Sequence, residues 1–569
     1  GTVDVLAGTY DDEVNVTKPL TLNGPYANSS FNGLSLDRGS EAIVEPTSGA
    51  AAFHIAANNV TIDGFTLDGD NNNDGTNDIN FGINNFDPDG GTFRTVTDFT
   101  VRNNIIKDFI VNGVFVCNAD GSCGNTEDGL TERNTVSNNR FEGIDGNGTA
   151  SPASSIGTQG KGIISTISNN VIRTGSAGGN QRGIQTGNHG QVGSNVTLTF
   201  SGNDIIADEE AIVLNLHQAN GPQVRVEDNT TKGSRAILVQ NITSTAAVEL
   251  VNNTVEATAS NGIQVFGSTA PIRIIGGTVS SASVGIQIGG GSTVERIERV
   301  AFGTVAGDAV VVNAFGGTSS DNGADLLKAF TGYNGDFDFS GVVGNVITVE
   351  EADDADGGFA RVVGNDLSLA ASPANFDPSD ITYNGTGTPR PKDLSGNWWG
   401  GSDPATVAGT AGAGVDFTPF LNSGDSDGSI SGFQGDFSTL NLSNSSPQVG
   451  PATRQREAID LGATTIRPFQ GGDGTYVELL FDGSSGFDFT NITGPVQVTD
   501  LTYDVSPGVS LPPFEVETIT INSGTFPAGS GDIAVVNGEI VTNVSSITNS
   551  PTFDVQNRFV GTDGPGNDT

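Results

Sequence analysis

A short pattern that returns about every 21 to 33 residues through the middle of the chain narrows its possible folds more than any other feature. The pattern carries two marks. One is a small residue followed by a β-branched one: Gly162-Ile163, Gly183-Ile184, Ala211-Ile212, Ala236-Ile237, Gly262-Ile263, Gly285-Ile286 and Ala309-Val310. The other is an Asn-rich pair before a short apolar stretch: Asn103-Asn104, Asn138-Asn139, Asn169-Asn170, Asp228-Asn229 and Asn252-Asn253. Stretches such as Val248 to Val251, Ile263 to Phe266, Ile272 to Ile275 and Ile286 to Ile288 are too short to fold alone. Each can bury its apolar face only against the turn of chain before and after it. A unit of about 22 to 26 residues with three short strands is one coil of a parallel β-helix, whereas a propeller blade takes about 40 to 50. Asn stacked at the same turn of successive coils predicts a ladder of side-chain amides.

Composition agrees with such a solenoid. The 80 Gly and 23 Pro in 569 residues, with abundant Asn, Thr, Ser, Val and Ile, suit short strands broken by turns and predict almost no helix. The 66 acidic against 24 basic residues give a formal charge of -42, which excludes nucleic acid and anionic lipid as partners, since both require positive charge. So acidic a surface suits a halophilic protein kept soluble by salt screening, or one that collects divalent cations. No apolar run reaches the roughly 18 residues of a membrane span, so no membrane insertion is expected. The absence of a signal peptide fits a mature or trimmed secreted chain. Cys117 and Cys123 flank the turn-like Asn118-Ala119-Asp120-Gly121-Ser122, where a small loop-closing disulfide is plausible, with two free thiols as the alternative.

The repeats resemble those of bacterial right-handed parallel β-helix proteins, the superfamily that includes pectate lyases and pectin methylesterases. The opening Gly1 to Gly24 is similar to the first coil of that group, with Gly8-Thr9-Tyr10 turning into Glu13-Val14 and Lys18-Pro19-Leu20 leading the next strand. Gly396-Asn397-Trp398-Trp399-Gly400, Asp403-Pro404 and Val415-Asp416-Phe417-Thr418-Pro419-Phe420 resemble the closing segment of surface-exposed members. The resemblance implies a fold and says little of activity.

The expected fold class is all-β: a right-handed parallel β-helix over residues 1–422, a polar linker at 423–433, and a smaller C-terminal β-domain at 434–569. Between about 314 and 394 the period is harder to follow, with Asp336 to Phe339 and Val346 to Val349 suiting wider coils. After the linker, longer strands are expected at Thr475 to Phe481, Val496 to Val505, Phe514 to Ile521 and Ile533 to Val541, as a sandwich or as further coils. The segment Glu457 to Glu478 resembles the cap and first coil of another β-helix, while Gly1 starts directly in a coil. An uncovered coil end is an exposed strand edge, and with the cap-like segment it predicts head-to-tail stacking of subunits.

The best local metal signal is Asp70 to Asp78, where Asp70, Asn72, Asp74 and Asp78 alternate around Gly75, with Asp68 available as a further ligand. Alternate oxygens around a glycine turn are what Ca²⁺ needs, although Phe81 stands where an EF-hand has its bidentate Glu. A solvated turn is the competing reading. Lys161, Arg182 and Arg235 lie near the Gly-Ile marks, but nothing in the sequence sets them beside an acidic cluster in matching phase, so no catalytic residue is assigned. The three histidines, His54, His189 and His217, fall in different coils and are expected at turns or the surface. Trp398 and Trp399 could stack on sugar rings, or pack at the end of the helix.

Repetition without a chemical site favours a non-enzymatic extracellular or cell-surface protein: a fibre, adhesin or filament subunit stabilised by Ca²⁺, with itself as partner. The alternative is a secreted polysaccharide lyase or hydrolase, or a carbohydrate-binding β-helix, with an extracellular polysaccharide as partner. An in-phase acidic cluster beside a basic residue on one face would favour the alternative.

Overall fold

A computed structural model describes residues 1–29, 38–71, 77–87, 91–94, 96–117, 133–144, 153–159, 164–174, 181–187, 197–215, 223–243, 245–290, 292, 294–313, 330–331, 341–350, 363–364, 366–368, 381–383, 392–424, 426, 435–443, 445–447 and 454–469, with separate strands between 475 and 555. The chain divides into two compact units, one built on Gly1–Leu327, Asp338–Asp356 and Asn384–Thr386, the other on Lys328–Phe337, Gly357–Tyr383 and Gly387–Thr569.

The first unit is a right-handed parallel β-helix. Three parallel sheets run along it, and each coil contributes one short strand to each. Within this unit the first sheet runs from Thr2–Asp4 to Val294–Glu298, the second from Gly8–Tyr10 to Ala301–Val305, and the third from Val14–Val16 to Ile347–Glu350. Stretches read from the sequence as strands are strands: Val248–Val251, Ile263–Phe266, Ile272–Ile275 and Ile286–Gly289.

The core is a set of stacked apolar columns. In the first sheet Val101, Val136, Ile167, Phe200, Val226, Leu250, Ile274 and Ile297 are register partners from coil to coil. In the third, Ile83, Val114, Ile156, Ile184, Ile212, Ile237, Ile263, Ile286, Val310 and Ile347 do the same. All are buried. No single strand could form this core, because each supplies only two or three inward side chains.

The small residue before each column member has a steric cause. A Cβ placed on Gly183 would lie 2.4 Å from Ile205 Cγ2, and one on Gly262 would lie 2.5 Å from Val279 Cγ1. At this corner the chain turns tightly from the second sheet into the third, and the small residue faces the core side chains of the second. Coils that carry Ala211, Ala236 and Ala309 there bury the methyl completely. Gly162-Ile163 lies outside the described residues, and in that coil the place in the column is held by Ser155-Ile156 instead.

The Asn pairs also have distinct roles. The first member takes the left-handed conformation that turns the first sheet into the second: Asn103, Asn138, Asn169, Asp228 and Asn252 have φ between 52° and 57°. Asn and Asp tolerate that region better than other residues with a side chain. The second member is buried in the predicted ladder. Asn104, Asn139, Asn170, Asn203 and Asn229 each donate a side-chain amide to the next, ending on Asn253, at 3.0, 3.1, 2.9, 2.8 and 3.0 Å. Asn203 is absent from the sequence marks because glycine, Gly202, takes the left-handed place before it. The ladder stops where Gly276-Gly277 supplies no amide.

Spacing along the ladder is 35, 31, 33, 26 and 24 residues. The early coils are therefore longer than the 22 to 26 residues expected, and only the later ones approach that period. The extra length falls between strands, much of it outside the described residues.

In the second unit Lys392–Asp393 pairs in parallel with Val415–Asp416, and Phe420–Leu421 pairs antiparallel to Thr439–Ser443, which pairs in parallel with Thr465–Phe469. Among the described residues two short helices occur, Pro404–Ala411, capped by the Asp403 carboxylate accepting from Thr406 N at 3.0 Å, and Arg454–Asp460. Farther on, the strands are shorter than the sequence suggests and pair in parallel: Thr475–Tyr476, Pro495–Val498, Thr518–Ile521 and Glu539–Thr542 form one sheet, and Leu479–Phe481, Leu501–Tyr503 and Gly524–Thr525 another. This is the pairing of stacked coils, while a sandwich of the immunoglobulin type pairs antiparallel.

Candidate functional site

Each coil places one side chain at the end of its strand in the second sheet, in the ladder coils three residues after the Asn. The resulting column reads Asp68, Lys107, Glu142, Arg173, Ile206, Lys232, Glu256 and Ser280. At its first members lies the densest group of ionisable side chains there. The Lys107 ammonium contacts the Asp68 carboxylate directly and lies 3.3 Å from Asp108 Oδ2. Asp70 is buried beside them and donates its backbone N–H to Asp68 Oδ1 at 3.2 Å. Glu45 completes the group from the coil below.

Charges in this group shift one another. Burial works to lower the Lys107 pKa, but the carboxylates of Asp68 and Asp108 outweigh it and raise the pKa above the ordinary lysine value. Burial raises Asp108, with the Lys107 ammonium opposing. Burial also raises Glu45, and the negative charge of Asp68 adds to it. A catalytic base needs a pKa near the working pH. Lys107 is moved away from that condition and acts as a tie between coils.

A second ionic column crosses the corner into the third sheet. Glu210, only 2 % exposed, accepts from Arg182 Nε on one neighbouring coil and from Arg235 Nη1 on the other, both at 2.9 Å. Burial and the adjacent Glu210 charge raise the pKa of Glu209. Sequence reading found Arg182 and Arg235 but not their partner, although the signal is present: Arg182, Glu210 and Arg235 each directly precede a small-residue mark. On the first sheet, Glu249 binds Arg225 at 2.9 Å and Arg273 at 3.2 Å, and Arg273 reaches Glu295 at 2.8 Å.

Of the five residues read as calcium ligands, the structure brings Asp68 and Asp70 together and leaves Asp78 exposed, while Asn72 and Asp74 lie outside the described residues. The Asp68 carboxylate already holds a lysine ammonium and a backbone N–H. Among the described residues no group of three or more His, Cys, Asp or Glu is placed to hold a metal ion. The described donors thus do not form a calcium shell by themselves.

His54, expected at a turn or the surface, is instead 1 % exposed, in the strand Ala51–Ile55. The Asn84 side chain one coil away brings its oxygen to 2.7 Å from His54 Nδ1, which accounts for the burial of a polar ring. His189 and His217 lie outside the described residues. Cys117 is buried and disulfide-bonded, and the chain's other cysteine, Cys123, lies outside the described residues. In the second unit Trp399 is buried at 3 %, and Trp398 is half-buried with Gly424 close against its indole nitrogen.

No family model matches the chain, and no curated protein matches it. Among solved structures it is similar to the pre-mature gene product 12 of bacteriophage phi29, at 10% identity and a TM-score of 0.35, over 98% of this chain and 69% of that one. It is also similar to a mutant of AlyGC, an alginate lyase of the PL6 family, at 12% identity and a TM-score of 0.28, over 95% of this chain and 82% of that one. The fold itself is given by the register of the chain's own strands: three long parallel sheets wound as a right-handed β-helix.

Proposed function

We propose that the chain is a non-enzymatic structural or interaction protein of the cell exterior, a surface fibre, adhesin or filament subunit. The observation that carries this reading is the axial pairing of charges. Lys107 is tied to Asp68, Arg182 and Arg235 to Glu210, and Arg225 and Arg273 to Glu249, each across neighbouring coils. Basic side chains of the kind a lyase would need, uncharged, as proton acceptors are here paired with carboxylates between coils. A disulfide at Cys117 suits an oxidising compartment, and the charge of -42 suits a soluble surface in salt.

A second reading, a secreted polysaccharide lyase or carbohydrate-binding β-helix, has one feature in its favour. Asp68 stands in register with Lys107, with Asp108, Asp70 and Glu45 around the pair. Against turnover stands the raised pKa of Lys107.

Negative-stain electron microscopy of native material in its own salt, with and without a calcium chelator, tests the assembly. Regular fibres support the structural reading, and their loss on chelation would bring the 68–78 loop into the assembly. Discrete particles under both conditions overturn the fibre and filament forms of the proposal.

A further inference from the structure

In the second unit, the turn after strand Lys392–Asp393 gathers more acceptors than its one hydroxyl can satisfy. Ser395 Oγ lies 2.7 Å from Asp393 Oδ1 and 2.5 Å from Glu457 Oε1. Ser395, Asp393 and Glu457 are all buried, at 0, 2 and 6 % exposure. A serine hydroxyl carries one hydrogen, and an ionised carboxylate carries none. Two oxygen–oxygen contacts of hydrogen-bond length therefore need a second hydrogen, which only one of the carboxyl groups can bring. The Ser395 backbone N–H also donates to Asp393 Oδ1, at 3.1 Å. Asp393 is thus the acceptor of two donors, and Glu457 carries the proton and donates it to Ser395 Oγ.

The surroundings suit one neutral carboxyl. Asp416, from strand Val415–Asp416, accepts from the Ser446 hydroxyl at 2.9 Å and from the Thr418 backbone N–H at 3.3 Å, so it needs no proton. Arg454, which opens the helix Arg454–Asp460, contacts the Ser446 carbonyl and lies close enough to Asp416 and Glu457 for their charges to act on it. Lys392, next to Asp393 in its strand, is half-buried. Among the described residues, two cations thus meet three carboxyl groups, and a neutral Glu457 balances the charge. An uncompensated buried carboxylate would be costly.

The bond spans 62 residues of chain. It ties the turn to a helix that connects two parallel strands, Thr439–Ser443 and Thr465–Phe469. We propose that the shared proton is a latch. Held between Glu457 and Ser395, it fastens the helix to the turn after Asp393. Its loss leaves two carboxylates against one hydroxyl, and the helix comes away while the strands stay paired. The latched form holds a proton that the open form releases, so the helix opens as pH rises.

The test follows trypsin cleavage after Arg454 and Arg456 in the full chain across a pH series, with the fragments read by mass spectrometry. Cleavage tracks the open population when reclosing is fast. Each rate is divided by that of Glu457→Gln, whose side-chain amide donates to Ser395 Oγ at every pH, which removes the pH dependence of the protease itself. For one proton, the ratio is expected to rise about tenfold per pH unit above the titration of the latch. Infrared difference spectra between the two chains at neutral pH should show the carbonyl stretch of a protonated carboxylic acid, fading over the same pH range. A ratio that stays flat, or the absence of that band, overturns the proposal. So does failure of Glu457→Gln to fold, since the amide supplies the same hydrogen.

Discussion

The side-chain amide of Asn139 donates to the side-chain oxygen of Asn170 at 3.1 Å, and the backbone N–H of Asn139 reaches the same oxygen at 3.0 Å. One oxygen thus satisfies two donors from the coil below, while the Asn170 amide turns back to the Val136 carbonyl at 3.0 Å and on to Asn203 at 2.9 Å. These groups are buried, so the ladder pairs polar atoms that would otherwise be stranded in the core.

Replacing Asn170 by Ala strands the Asn139 backbone N–H and removes the amide bond to the Val136 carbonyl, while the Asn139 side-chain amide keeps the Val101 and Ser137 carbonyls at 2.9 and 3.0 Å. At roughly 1 to 3 kcal/mol for an unsatisfied buried group, the variant should lose about 3 kcal/mol. Denaturant unfolding measures this. Asn170→Asp should restore the acceptor but not the donor, and lose less at neutral pH only if the backbone N–H bond dominates.

Gly183→Val should fail more severely than Gly183→Ala. The first methyl already meets Ile205 and the Ala211 carbonyl, and overpacking of this kind costs about 1 to 3 kcal/mol. Ala211→Gly, at the matching place one coil on, should cost about 1 kcal/mol. Melting temperatures of the three variants should fall in the order valine, alanine, glycine, with valine lowest.

Lys107→Gln leaves the buried Asp68 carboxylate unpaired among Glu45, Asp70 and Asp108. Breaking a buried pair costs about 3 to 5 kcal/mol, and the partial exposure of Lys107 brings the expected loss to about 2 kcal/mol. The empty cation position should then take Ca²⁺. Millimolar calcium is expected to raise the melting temperature of this variant more than that of the unaltered chain, and an equal response would show that the carboxylates do not share one cation.

Acidification should act in two directions. Glu45, Asp108 and Glu209 have raised pKa values, so the folded chain binds protons that the unfolded chain has released. Their contribution to stability is greatest below the ordinary carboxylate range and is lost as pH rises through the raised values. For Glu13, burial works to raise the pKa, but the N–H groups of Ala51 and Ala50 and the His54 ring outweigh it and lower it. Its contribution is present above the ordinary range and is lost as pH falls through the lowered value. Melting curves should therefore show a stability gain from neutral pH toward the ordinary carboxylate range that Glu209→Gln reduces, followed by a loss at lower pH that Glu13→Gln reduces.

Much of this architecture was legible because stacking copies a local rule from coil to coil. The small residue before Ile184, Ile212 and Ile237, and the Asn at 139, 170 and 229, are marks of places where only a few side chains fit. Charge pairing was less legible. Nothing about Arg182 alone names Glu210 as its partner, since coil lengths that change from 35 to 24 residues hide which positions meet. The burial of His54 was hidden for the same reason: its partner Asn84 is 30 residues away, and only register brings the two together.

Whether the charged columns only stitch the stack together is decided by incubating the pure chain with a panel of uronate-containing and neutral polysaccharides, while following unsaturated products and new reducing ends. Neither should form, with or without calcium. Turnover that disappears in Lys107→Gln while the fold survives would contradict the account and make the Lys107 group an active site.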